Sequence, residues 1–211
     1  MPVEAKPLFR PDVIRSHLAA FSLPARIEPL RRQLADWASL LATGRANNFK
    51  EQELLPDFLT LYFHGVLGYT GPADNPDRYS ISREHHVQVD GKFADAVLGE
   101  FNGTPRYVAA LEGKGPKDPL DRPFAGRRMS AVDQGYRYAI NLPCDFVIVT
   151  SIRQTRLYGK ATDQQTYERF DTMTGGVQRD WLLGMTMTQV ARGRNLRVHR
   201  FEASVRPRTG M

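Results

Sequence analysis

The stretch KFADAVLGEFNGTPRYVAALEGK, residues 92–114, decides how the rest of the chain is read. Two largely apolar runs, KFADAVLGEF (92–101) and RYVAALEGK (106–114), are joined by NGTP, a tight-turn sequence, and this spacing predicts an antiparallel pair of strands. Each run carries charge where packing alone does not call for it. Asp95 stands among Phe93, Ala94, Ala96 and Val97, and the second run ends in Glu112 and Lys114. Because strand side chains alternate, Glu112 and Lys114 share a face and Gly113 is directed to the other. Pairing through the turn sets Asp95 across from Glu112 or very near it. Facing carboxylates repel and desolvation adds to the cost, so a positive charge is expected between them. A hard divalent cation with oxygen ligands answers that need, leaving Lys114 to orient a water or to stabilise charge growing on a phosphate. On spacing alone the plainer reading stays open: a surface acid–lysine pair at a strand end, worth at most about 1 kcal/mol.

Outward from this pair, REHHVQV (83–89) is a third strand candidate, connected through VDGK. Upstream, Ile27, Leu30, Leu34, Trp37, Leu40 and Leu41 recur at steps of three and four, which predicts one amphipathic helix between Pro24 and Gly44. A shorter helix is expected around 12–21 with Pro11 in its first turn. Residues 49–69, FKEQELLPDFLTLYFHGVLGY, read as a helix with acids near its start and Pro56 near its first turn. Downstream, the loop GPKDPLDRPFAGRRM (115–129) leads to Ser130, a helix cap with Asp133 in the capping-box position, and to the helix AVDQGYRYAIN (131–141). CDFVIVTS (144–151) is an unbroken apolar run typical of a strand covered on both faces, and TRLYGK (155–160) pairs with it. The remainder, with DWLLGMTMTQVA (180–191) and the basic end SVRPRTGM (204–211), is weakly patterned. The order of elements predicts an α/β or α+β fold, a mixed central sheet flanked by helices with an extra N-terminal helical segment.

The 211 residues suit one main domain. No apolar run approaches the roughly 18–20 residues that cross a bilayer, no secretory signal pattern opens the chain, and one cysteine forms no internal disulfide, so no membrane partner and a cytoplasmic location are expected. A net charge of +6 favours polyanionic partners. The five histidines and Cys144 show no zinc-ligand spacing, His85 and His86 being directed to opposite strand faces, and there is no phosphate-binding glycine loop. Cys144 reads as a small buried residue.

Asp95, then Glu112-Gly113-Lys114, then a helix bearing Gln134 and Tyr138, resembles the PD-(D/E)xK nuclease superfamily in its version with a Q-x-x-x-Y helix. Residues 49–69, 110–123 and 130–158 are similar, in order and spacing, to the N-terminal endonuclease domains of large single-chain restriction–modification enzymes, of the type IIG/IIL or ISP-like kind. The likeness covers about residues 50–160. It departs from the pattern in one place, where Ala94 precedes the first acid and the motif has a proline that is often absent. The resemblance implies a restriction-endonuclease-like sheet, with residues 1–47 as a helical segment packed on the core, 48–165 as the nuclease core, and 166–211 as an extension toward further domains. It implies Mg²⁺, with Mn²⁺ able to substitute, held by Asp95, Glu112 and the Gly113 carbonyl. Lys114 would stand near the water, Glu51 (with Glu53 as rival) would complete the metal shell from the first helix, and Gln134 would reach the site. Tyr138, Arg127, Arg128 and Arg137 would meet DNA. The implied partners are double-stranded DNA and methyltransferase and target-recognition domains, covalently linked or separate, so that the chain is expected to be a fragment or a stand-alone module. The rival readings are a catalytically silent nucleic-acid-binding or assembly module, and a structure-specific nuclease outside restriction.

Overall fold

Residues 5–19, 22, 24–87, 92–124 and 126–172 are described by a computed structural model. Four α-helices lie among them: α1 (Pro11–Ala19), α2 (Arg31–Ala42), α3 (Glu51–Phe58) and α4 (Ala131–Asn141). Six strands, β1 (Tyr79–Val87), β2 (Lys92–Phe101), β3 (Arg106–Gly113), β4 (Phe146–Thr150), β5 (Gln154–Gly159) and β6 (Tyr167–Asp171), form one sheet in chain order. Every neighbouring pair is antiparallel except β3 and β4. A parallel pair needs a crossover, and the loop after β3 together with α4 supplies it. The fold is therefore mixed α+β with a mostly antiparallel sheet.

The register of β2 on β3 pairs Ala96 with Leu111 and Val97 with Ala110. One step further sets Asp95 opposite Glu112, as alignment through the NGTP turn predicts. All five residues of β4 are buried, in keeping with an apolar run covered on both faces. On one face, α2, α3 and the N-terminal Leu8 and Phe9 close over Leu98, Leu111, Ile148 and Leu157. On the other, α4 covers Ala110, Val147, Val149 and Tyr158. The cap of α4 forms as its sequence suggests, with the Asp133 N–H donating to Ser130 Oγ at 3.0 Å and the Ser130 hydroxyl donating to Asp133 Oδ2 at 2.6 Å.

Three elements depart from expectation. The helix foreseen between Pro24 and Gly44 is divided into a 3₁₀ turn, Ala25–Leu30, and α2, because Pro29 has no N–H to carry a continuous ladder. Pro56 occupies the interior of α3, and the chain beyond it widens into a π-helix, Leu59–Val66, where the Leu67 N–H reaches five residues back to the Tyr62 carbonyl at 2.9 Å. β6 has no counterpart in the sequence reading, since in YERFD only Phe170 is buried and an edge strand facing water shows no apolar alternation. Residues 88–91, which include all of the VDGK connection but Lys92, and residues 180–191 and 204–211 lie outside the described residues. Among the described residues no helix is long and apolar enough to cross a membrane.

Gly135 lets α4 sit close on the sheet. A Cβ there would lie 2.8 Å from Val147 Cγ1, 3.1 Å from Val149 Cγ2 and 3.7 Å from the Cβ of Glu112. Alanine would gain up to about 1 kcal/mol in helix propensity, yet overpacking costs roughly 1–3 kcal/mol, so the clash wins. Gly135→Ala is expected to destabilise the chain by about 1 kcal/mol. Val147→Ala introduced beside it should cost less than it does alone, which a double-mutant cycle of urea midpoints measures.

Candidate active site

The ends of β2 and β3 meet the start of α3 at one charged point. Glu112 is 1% exposed and Lys114 5%, so both charges are effectively out of water. The Lys114 ammonium donates to Glu112 Oε1 and, at 2.7 Å, to the Gly113 carbonyl. The Gly113 N–H donates to Asp95 Oδ2 at 2.6 Å. Beyond the end of β3, the Lys114 N–H continues the ladder to β4 by donating to the Thr150 carbonyl at 2.8 Å. Residues 112–114 are thus tied to β2 on one side and β4 on the other. Gly113 is required by α3, because a Cβ there would stand 2.5 Å from Leu55 Cδ2 and 2.6 Å from Cδ1.

The electrostatics follow from burial. Desolvation, then the charge of Asp95, pushes the Glu112 carboxyl up to about 8, and Lys114 only partly offsets them. Asp95 is raised as well, chiefly by desolvation, while the Gly113 N–H, the Lys114 charge and a hydrogen bond with Glu112 pull it back. Two acids in hydrogen-bond contact, of which the deeper holds its proton near neutral pH, form a coupled pair. Glu51 is raised by burial, and it feels Lys114, Asp95 and Arg127 in turn.

The structure separates the two acids at the start of α3. Glu53 accepts the Lys50 N–H at 2.7 Å and serves as the helix cap, whereas Glu51 faces the strand ends and pairs with Arg127 at 3.6 Å. On α4, the Gln134 side chain donates to the Tyr138 hydroxyl at 2.8 Å. Burial raises Tyr138, and the charges of Glu112 and Asp95 add to the shift, so the hydroxyl stands within their field. Arg128 is exposed on the loop, and Arg137 donates to Met129 Sδ at 3.9 Å. The structure therefore gathers Asp95, Glu112, Lys114, Glu51 and Arg127, sets Gln134 and Tyr138 beside them, and leaves Arg128 and Arg137 outside. The buried Cys144 thiol is pushed up to about 12 by desolvation and is chemically quiet.

No group of three or more His, Cys, Asp or Glu side chains converges as a metal cluster among the described residues. The Lys114 ammonium sits on oxygens of Glu112 and Gly113, with the Asp95 and Glu51 carboxyls within its field.

Some residues that build the site carry no local signal. Arg156 grips Asp121 through Nη1–Oδ1 at 2.5 Å and Nη2–Oδ2 at 3.0 Å and lies 4.7 Å from the centre of the Tyr167 ring. Arg153 donates to the Pro116 carbonyl at 3.0 Å and to the Leu41 carbonyl at 2.9 Å. Both tether the loop after β3 to strands or helices far away in sequence. Arg83 and Glu84, adjacent on β1, line a cavity of about 360 Å³ together with Asp95 and Glu51. Adjacent strand residues ordinarily face opposite ways, and here Glu84 at φ +46° breaks the alternation.

Compared with family models, curated proteins and solved structures, the chain matches none.

The Glu112 shift has a stability consequence. Its folded value lies above its unfolded value of 4.5, so the folded chain keeps a proton that the unfolded chain releases. The associated stability is full below pH 4.5 and is lost as pH rises to about 8. In chelator, thermal unfolding is expected at falling temperatures as pH is raised across that window, at roughly 2–4 °C per kcal/mol for a chain of this size. Glu112→Gln should flatten the dependence.

Proposed function

We propose that this chain is a Mg²⁺-dependent DNA endonuclease with a restriction-endonuclease-like sheet, the cleavage module of a restriction–modification enzyme, with Mn²⁺ as a substitute ion. The observation that supports it best is the meeting of Asp95, Glu112 and Lys114 at adjoining strand ends, with Glu51 beside them and Gln134 and Tyr138 on the helix that follows. A buried pair of acids held by one ammonium is a costly arrangement for stability alone. The donors available are oxygens, the ligand type that Mg²⁺ takes, and Asp95, Glu112 and the Gly113 carbonyl would hold it. When bound, the ion supplies Lewis acidity toward a phosphoryl oxygen and lowers the pKa of a water. The residues supply the remainder. In a loaded site Glu112 would be ionised, its proton passed to solvent, and the Lys114 ammonium would be free to leave Glu112 and Gly113 and face the charge developing on the phosphate. Glu51 exchanges Arg127 for a water at the same point. Gln134 and Tyr138 hold α4 against the strand ends; Tyr138, expected from the sequence to meet DNA, is 2% exposed and packs in the core instead, which leaves the half-buried Gln134 as the group on this helix face nearest the backbone. Base recognition and methyl transfer belong to further domains or partners, since phosphate contacts carry no sequence information.

Supercoiled plasmid incubated with the chain in Mg²⁺ or Mn²⁺ is expected to be nicked and linearised. Chelator should abolish cutting, and Lys114→Ala should slow it by about 10²–10³-fold, the usual worth of one donor aimed at charge that develops in the transition state. Calorimetry tests the ligands without DNA: the wild type should bind Mn²⁺ and Asp95→Ala should not. Equal affinity in the two proteins would overturn the reading.

A further inference from the structure

The loop from Gly115 to Met129 carries a second feature that the acid centre does not need. Phe124 is 45% exposed, although the loop that bears it is firmly anchored. Leu120 is buried at 5%, its carbonyl accepts the Val132 N–H at 3.2 Å, and Asp121 is gripped by Arg156 through two bonds. A loop so fixed could turn an aromatic ring inward, yet a tight turn turns it out. The Arg127 N–H donates to the Phe124 carbonyl at 2.9 Å, with Gly126 at φ +82° inside the turn. The same turn delivers Arg127 to Glu51, so the ring stands three residues from a side chain of the acid centre.

Cations outnumber acids on this loop, with Lys117, Arg122, Arg127 and Arg128 against Asp118, whose charge bears on Glu51, and Asp121. Lys117, Arg122 and Arg128 are exposed and make no ion pair among the described residues, while Asp121 in the same loop is neutralised by Arg156. An exposed ring on a loop that also carries unpaired cations suits a polyanion whose bases can be stacked upon. We infer that Phe124 stacks on a base next to the phosphate at the acid centre, while Lys117, Arg122 and Arg128 contact the flanking phosphates, so that duplex DNA is locally unstacked where it meets the site. This rests on the nuclease reading for its location, but not for its test.

The full chain is titrated into a fluorescein-labelled duplex in Ca²⁺ at several salt concentrations, and plasmid nicking in Mg²⁺ is followed in parallel. Phe124→Ala is expected to bind roughly 5- to 100-fold more weakly, the usual worth of one stacked base, with the wild-type melting temperature and salt slope. Phe124→Trp should bind like the wild type. Arg122→Ala and Arg128→Ala should each lower the log–log salt slope by about one. Permanganate reactivity of thymines in the bound duplex should rise with the wild type and not with Phe124→Ala. The inference is overturned if Phe124→Ala binds within about twofold of the wild type, or if the wild type leaves thymines unreactive. Should that variant bind and nick like the wild type, the nuclease reading survives and the loop assignment falls. Should the wild type bind through Phe124 but never nick, the loop assignment survives and the nuclease reading falls.

Discussion

Two carboxylates kept out of water at adjoining strand ends are the constraint on which the rest of the molecule turns. Ionised together, Asp95 and Glu112 would repel at close range in a medium that screens poorly. The chain answers with three devices: a proton that burial holds on Glu112, the Gly113 N–H directed at Asp95, and the Lys114 ammonium closing on Glu112 and Gly113. Hydrophobic residues of similar volume would do the packing more cheaply. The arrangement therefore makes sense as a poised site, in which an incoming positive charge takes over the work of the proton and the ammonium.

The surrounding architecture serves that point. Because β3 and β4 are parallel, Gly113 and Thr150 end on the same side of the sheet, where crevices form outside the carboxyl ends of parallel strands. Gly113 admits Leu55 and so lets α3 bring Glu51 to the strand ends, and Gly135 admits Val147 and so lets α4 bring Gln134 and Tyr138. The crossover loop would be free to move were it not for Arg153 and Arg156, which fix its two halves to the N-terminal helices and to β5. Rigid elements thus carry the charged groups, and a tethered loop overlooks them.

Much of this was legible in the residue order. Alternation along 92–114 and the NGTP turn brought Asp95 to within one residue of Glu112, and a bulge between Leu98 and Gly99 sets the register that places them opposite each other. The α4 cap was readable because Ser130 and Asp133 satisfy helix N–H groups within four residues. Contacts of this kind are local, and local chemistry is written in spacing. The π-helix beyond Pro56, the edge strand β6 and the broken alternation at Glu84 were not readable, since each depends on what packs or fails to pack against it.

By itself, then, the residue order determined the paired strands, the charged strand end and the capped helix, all set by short-range stereochemistry. Only the tertiary structure decided that Glu51 and not Glu53 faces the acids, that Arg127 joins Glu51, and that Asp121 finds Arg156 across 35 residues. Those choices rest on desolvation and long-range placement, which no window of sequence contains.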